Sequence, residues 1–253
     1  MRRLERGGNL PELVWIHGLG ERSSCFDAMV SHRLLGAYSH VLPDLPGYGD
    51  SQPPVLPTSG NSLDEAAAHL ADWLSTWPAR PAPILAGHSM GGVLATLVAE
   101  RIPVRGVIDI DGNLSRGDCT FSMEAAVQSL ERFTAHGFAK MRETVAAGGE
   151  TEPSLRGYAA ALASASPAVF HRNATDLVEL SVPETLPGRL SALGVPVLFI
   201  AGLPGGICTR SQQLLDLNHV PWVGLQPSGH WPFIDQVELF AATVRAFVRE
   251  LAT

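Results

Sequence analysis

Ile84-Leu85-Ala86-Gly87-His88-Ser89-Met90-Gly91-Gly92-Val93-Leu94-Ala95-Thr96 decides how the whole chain is read. A short apolar run enters a Gly-X-Ser-X-Gly turn and leaves it as a helical pattern with Val93, Leu94, Leu97 and Val98 on one stripe. Strand, sharp turn and helix form the context in which this short motif has chemical meaning. Small residues let the backbone turn tightly and hold the Ser89 hydroxyl at the carboxyl end of a strand. There the N-terminus of the following helix supplies N–H groups and a dipole for developing negative charge. Unless the chain also supplies a base, an acid and two oxyanion donors, Ser89 is only a turn serine.

Outward from this turn, apolar runs bounded by Gly or Pro recur at 13–16, 40–42, 83–86, 104–110, 196–201 and 220–225. Continuous apolar runs of this length predict buried parallel strands. Ser62-Leu63-Asp64-Glu65 has the form of a capping box, with Leu63, Ala67, Leu70, Leu74 and Trp77 at helical spacing until Pro78. Asp235 with Glu238 is expected to cap a C-terminal helix with Leu239, Phe240, Val244, Phe247 and Leu251 facing the core. Alternating strands and helices predict an α/β fold, a mainly parallel sheet of roughly six to seven strands flanked by helices. The alternation stops between about 114 and 187. Helical patterns run there at 122–147 and 154–163, and Ser166-Pro167 reads as an N-cap followed by proline at the first helical position. The expected organisation is one α/β core domain, 1–113 with 188–253, and a helical cap, or lid, over 114–187.

At the Ser89 turn the sequence resembles the α/β-hydrolase superfamily, and the resemblance extends over nearly the whole chain. His17-Gly18-Leu19-Gly20, directly after the 13–16 run, resembles that family's His-Gly oxyanion loop. The resemblance implies that the backbone N–H groups of Leu19 and Met90 are the oxyanion donors, while His17 and His88 are structural. Among the nine histidines, His230 is implied as general base. Its segment, Pro227-Ser228-Gly229-His230-Trp231-Pro232-Phe233, follows the last strand, where the family places its catalytic histidine. Asp44, in Leu42-Pro43-Asp44-Leu45-Pro46-Gly47, reads as a structural acid bonding near the oxyanion loop. Only about a dozen residues precede the 13–16 run, so the family's first strands are expected to be mostly missing.

The acid departs from the common pattern. After the 196–201 run the family usually has Gly-X-X-Asp, but this chain reads Gly202-Leu203-Pro204-Gly205-Gly206. A triad still needs a carboxylate to hold the imidazole tautomer. One strand earlier, Val107-Ile108-Asp109-Ile110-Asp111-Gly112-Asn113 ends in an acid, a station used by some members of the superfamily. Asp111 is therefore the candidate, with Asp109, Asp118 or a triad without an acid as alternatives.

Composition narrows the partners. The chain has 253 residues, 45% of them hydrophobic, enough to bury a sizeable core. A net charge of -7 without a Lys/Arg-rich run argues against nucleic acid or an anionic membrane as partner. No apolar run approaches the length of a membrane span, and Gly7-Gly8-Asn9-Leu10-Pro11 interrupts any export signal after Arg2, Arg3 and Arg6. Three widely spaced cysteines fit a reduced cytoplasm. The expectation is a serine hydrolase of small to medium carboxylic esters that needs no metal or cofactor. Leu114, Phe138, Met141, Phe170, Trp231 and Phe233 are expected to line the pocket. Carbon–carbon bond cleavage, hydrolysis of a lactone, thioester or amide, and a non-catalytic ligand-binding role remain alternatives.

Overall fold

The computed structural model describes residues 2–6, 10–54, 62–76 and 82–251. Seven strands form one sheet: β1 (Arg2–Arg6), β2 (Leu10–Ile16), β3 (Tyr38–Asp44), β4 (Ile84–His88), β5 (Gly106–Ile110), β6 (Val197–Gly205) and β7 (Trp222–Gly229). Their spatial order is β1-β3-β2-β4-β5-β6-β7. Every neighbouring pair is parallel except β1 with β3. The expected α/β fold is present, and β1 adds an antiparallel edge strand ahead of the first run that the sequence marks.

Helices cover both faces of the sheet, and for that reason β4 and β5 are buried along their whole length rather than on alternate residues. Leu13, Val14, Trp15, Ile16, Ile84, Leu85, Val107 and Ile108 are all inaccessible. Each such side chain contributes about 1.5–3 kcal/mol relative to exposure. The helix Ser62–Ser75 buries Leu63, Ala67, Leu70, Ala71 and Leu74, the expected stripe. Trp77 and Pro78 lie outside the described residues. Ser62 does not stand free as a cap, because its backbone N–H and hydroxyl both donate to Asp176 of the helix Pro167–Ser181.

The C-terminal helix Val237–Glu250 buries Phe240, Ala241, Val244, Phe247 and Val248. Leu239, expected on that face, is 49% exposed, since the stripe starts one residue later. Asp235 does not cap this helix either. It closes the short helix Pro232–Asp235 and accepts the Gly229 N–H at 2.8 Å, which ties down the approach to His230.

Between β5 and β6 the described residues form helices only, from Arg116–Asp118 to Leu186–Ser191. The single helix expected over 122–147 is broken into Phe121–Ala126, Leu130–Arg132, a π-helical turn Phe133–Gly137 and Phe138–Gly148. Ser129 causes the restart, its hydroxyl accepting the Arg132 N–H as an N-cap. Pro153–Leu162 and Pro167–Ser181 begin with proline in the first helical turn. Gly20 fixes where this helical segment sits. With φ of 76° it needs glycine, and an added Cβ would stand 2.6 Å from Leu162 and 2.8 Å from Phe170. Among the described residues no helix is long and apolar enough to cross a membrane.

Candidate active site

The strand order places the site. From β2 the chain passes to β3 on one side, and from β4 to β5 on the other, so the connections leaving β2 and β4 diverge and open a crevice at their carboxyl ends. His17-Gly18-Leu19 leaves β2 there, and Ser89-Met90 leaves β4.

Ser89 has φ 53° and ψ -121°, a strained conformation for a residue with a side chain. Its neighbours make the strain possible. A Cβ at Gly87 would run into the Gly91 carbonyl, and one at Gly91 into the Ile16 carbonyl. Gly91→Ala is therefore expected to cost about 1–3 kcal/mol or more, because the obstructing atoms are backbone. Chemical denaturation would measure this, and an unchanged midpoint would contradict the tight turn. The Ser89 hydroxyl does not cap the helix Met90–Ala99. It donates to Asn113 Oδ1 at 3.3 Å, an amide oriented by its own donation to the Asp118 carbonyl at 3.0 Å.

His230 Nδ1 lies 2.6 Å from Asp111 Oδ2. The other Asp111 oxygen accepts the N–H groups of Gly202 at 2.8 Å and Ile207 at 3.2 Å. With a carboxylate accepting at Nδ1, the proton sits there and the lone pair is left on Nε2, the state of a general base. Asp111 reaches this place with φ 50°, a conformation that Asp tolerates better than most residues. Gly205 stands where the acid of the usual Gly-X-X-Asp pattern would be. A Cβ at Gly205 would approach the Gly229 backbone at 3.2 Å, whereas one at Gly206 would run into the Asp111 carboxylate. Asp111 thus fills the space that a side chain at 206 would occupy.

The alternative acids are engaged elsewhere. Asp109 is buried behind the nucleophile helix and accepts the Gly112 N–H at 3.0 Å. Burial pushes its carboxyl well above the ordinary range, with the Asp111 charge adding to the effect. Asp118 accepts from the N–H groups of Leu114, Ser115 and Cys208 and from the Ser211 hydroxyl. Asp44 accepts the N–H groups of Ser23 at 2.7 Å and Asp50 at 2.9 Å, a structural tie just beyond the oxyanion loop.

Among the described residues, the backbone N–H groups of Leu19 and Met90 find no protein acceptor, although both residues are buried. Free N–H groups on the loop after β2 and at a helix N-terminus suit an oxyanion. His17 holds that loop from behind. Leu45 N–H donates to its Nε2 at 3.0 Å, so Nδ1 carries the proton and meets the Gly18 carbonyl at 2.9 Å. Burial lowers its pKa, which keeps this ring neutral.

Ser89, Leu19, Asn113, Phe121, Tyr158, Leu177, His230 and Trp231 line one cleft of about 20 Å³. Of the six pocket residues expected from sequence, Trp231 alone reaches it. Phe138 packs against Phe133 and Phe170 with centroids 5.7 and 5.5 Å apart, and Met141 is buried on the same helix as Phe138. Leu114 is buried away from the cleft wall, and Phe233 lies between Phe26 and Phe240. Asn113, Tyr158 and Glu21 were missed. A larger cavity of about 650 Å³, with Tyr48, Pro54, Ser62, Met90 and Asn173 in its wall, does not include Ser89. Among the described residues no cluster of His, Cys, Asp and Glu has the makings of a metal site.

The chain as a whole has counterparts among known sequences. The profile of the Alpha/beta hydrolase family matches residues 13–243. The chain belongs to that family. Among relatives of this α/β hydrolase is the pimeloyl-[acyl-carrier protein] methyl ester esterase of Shewanella sp. (strain MR-7), 29% identical over 270 residues, covering 98% of this chain and 94% of the other. The same-named protein of Stenotrophomonas maltophilia (strain R551-3) is 28% identical over 98% of this chain and 97% of its own. In fold, this hydrolase is similar to a thermophilic esterase from Thermogutta terrifontis, with a TM-score of 0.78 and 22% identity over 100% of this chain and 94% of that one. The enol-lactonase of Burkholderia xenovorans LB400 also gives 0.78, at 20% identity over 98% and 96%.

Proposed function

We propose that this α/β hydrolase is a serine esterase that cleaves a carboxylic ester through an acyl-enzyme. The observation that carries the reading is the Asp111–His230 pair, which leaves the imidazole Nε2 basic in the cleft that Ser89 lines. In the reaction, the Ser89 hydroxyl leaves Asn113 and gives its proton to His230 as Oγ attacks the ester carbonyl. The N–H groups of Leu19 and Met90 stabilise the oxyanion, and His230 returns the proton to the departing alcohol. Water, activated by the same histidine, then releases the acid.

Relatives named as methyl ester esterases support a carboxylic ester, and methanol is the smallest alcohol a cramped cleft can release. A volume of about 20 Å³ holds about one water molecule. Residues 114–187 therefore act as a cap that must give way for an acyl group, with Phe121, Tyr158 and Leu177 as the walls that move. A fluorophosphonate should label the protein covalently at one residue, Ser89. No labelling of the folded protein would end the serine-esterase reading.

Phe121→Ala or Leu177→Ala is expected to shift the preferred acyl length of p-nitrophenyl esters upward, with the acetate turned over nearly as before. Loss of all chain lengths in parallel would mean that these walls do not bound the acyl site. A lactone or thioester cleaved faster than any simple ester would move the substrate within the same chemistry.

A further inference from the structure

Glu21 follows the Gly18-Leu19-Gly20 loop and is 3% exposed. It meets donors on every side. Oε2 accepts the Gly18 N–H at 2.6 Å and lies 2.9 Å from His88 Nδ1, while Oε1 accepts the Trp231 indole N–H at 2.6 Å. The second His88 nitrogen, Nε2, is 2.7 Å from the carbonyl oxygen of His230. A carbonyl oxygen can only accept, so Nε2 carries a proton. Glu21, surrounded by N–H groups, accepts as a carboxylate, so Nδ1 carries one too. His88 is therefore an imidazolium. His17, the residue directly after β2, shows the contrast, because one of its nitrogens accepts an N–H and its ring is neutral.

We propose that Glu21 and His88 form a buried carboxylate–imidazolium pair that holds the Leu19 loop, the Ser89 turn and the His230 loop in one arrangement. Glu21 is then a positioning residue for acyl transfer, an assignment that rests on the serine-esterase reading. The three loops it joins are far apart in sequence, at residues 18, 88 and 230–231, and each carries one working part of the site. Burial alone would raise the Glu21 carboxyl, yet His88 and the N–H donors hold it at about 2. Burial opposes the His88 cation, and the Glu21 charge still raises its pKa. The other titratable groups that face the pair are His17, Cys25, Asp109, Asp111, Tyr158 and His230.

No neutral side chain of the same size can take the place of Glu21. Gln would turn an amide NH₂ toward either the Gly18 N–H or the Trp231 N–H, whichever way it lies. Glu21→Asp keeps the charge and loses the reach.

Two measurements test the pair, both on the intact chain. In the wild type, ¹⁵N-histidine NMR should show two ring N–H protons on His88 at pH 7. A single ring proton there at the same pH overturns the ion pair, and this holds whether or not the protein is an esterase. In Glu21→Gln, assayed well below its unfolding midpoint, kcat and the rate of fluorophosphonate labelling should fall on the order of 10²-fold, the scale of one lost oxyanion donor, with KM changed far less. Glu21→Asp should fall between Gln and wild type and keep the doubly protonated His88. If the wild type labels and Glu21→Gln labels equally fast, the positioning role is overturned. If the wild type itself does not label, the esterase reading fails and the NMR result still decides the pair.

Discussion

Ser89→Ala is expected to lower kcat on the order of 10⁶-fold, the scale on which serine hydrolases lose turnover with their nucleophile. The reason is that the histidines beside Ser89 are already held in place, His88 by Glu21 and the His230 backbone, and His230 by Asp111 at its Nδ1. The proposed oxyanion donors on Leu19 and Met90 are backbone groups and survive the substitution, so a residual acceleration over water should remain. The fold should survive as well, since the Ser89 side chain makes one long hydrogen bond, at 3.3 Å. KM for a good substrate should therefore change little. The measurement is steady-state kinetics with circular dichroism as the control for folding. A folded variant that keeps a tenth of the wild-type rate would sink the nucleophile assignment.

Asp111→Asn should cost on the order of 10⁴-fold in turnover, the scale on which serine proteases lose turnover when the triad aspartate becomes asparagine. Here the geometry says why. Two backbone N–H groups, of Gly202 and Ile207, donate to one Asp111 oxygen, so the amide of Asn must present its oxygen to them. Its NH₂ then faces His230 Nδ1, which has to accept, and the proton moves to Nε2 where the base is needed. The wrong tautomer is thus imposed by the two N–H groups. Asp109→Asn should leave kcat nearly unchanged, because that carboxyl is buried against the Gly112 N–H, and burial pushes its pKa well above the ordinary range. Asp118→Asn should reduce stability rather than turnover, since its partners are three backbone N–H groups and a hydroxyl. Full activity in Asp111→Asn would remove it from the site.

What could be read in the sequence was what local physics determines. The Ser89 turn needs glycine at 87 and 91 because backbone atoms stand where a Cβ would go, so the motif and its geometry are one statement. Buried parallel strands show as continuous apolar runs, and the family resemblance singles out His230 from its place after the last of them. β1 escaped because Arg2-Arg3-Leu4-Glu5-Arg6 has no apolar run; an antiparallel edge strand does not need one. Glu21 escaped for a different reason: as one acid in a polar stretch it reads as solvated, and its burial depends on Gly18, His88 and Trp231 converging from distant positions. The pocket was misjudged because Phe138, Met141 and Phe170, at helical spacing, serve each other as core. The cleft is walled instead by Phe121, Tyr158 and Leu177, which no pattern separates from other helical residues.

The acid's place on β5 also sets an order of events at the ribosome. A nascent chain emerges with the Leu19 loop, Ser89, Met90 and Asp111 in its first half, then the helices between β5 and β6, and His230 only after β6 and β7. On the proposed roles, the half-made protein then holds a nucleophile and a waiting carboxylate but no base. The docking of β7 would be the event that arms the serine, after the proposed cap has been synthesised.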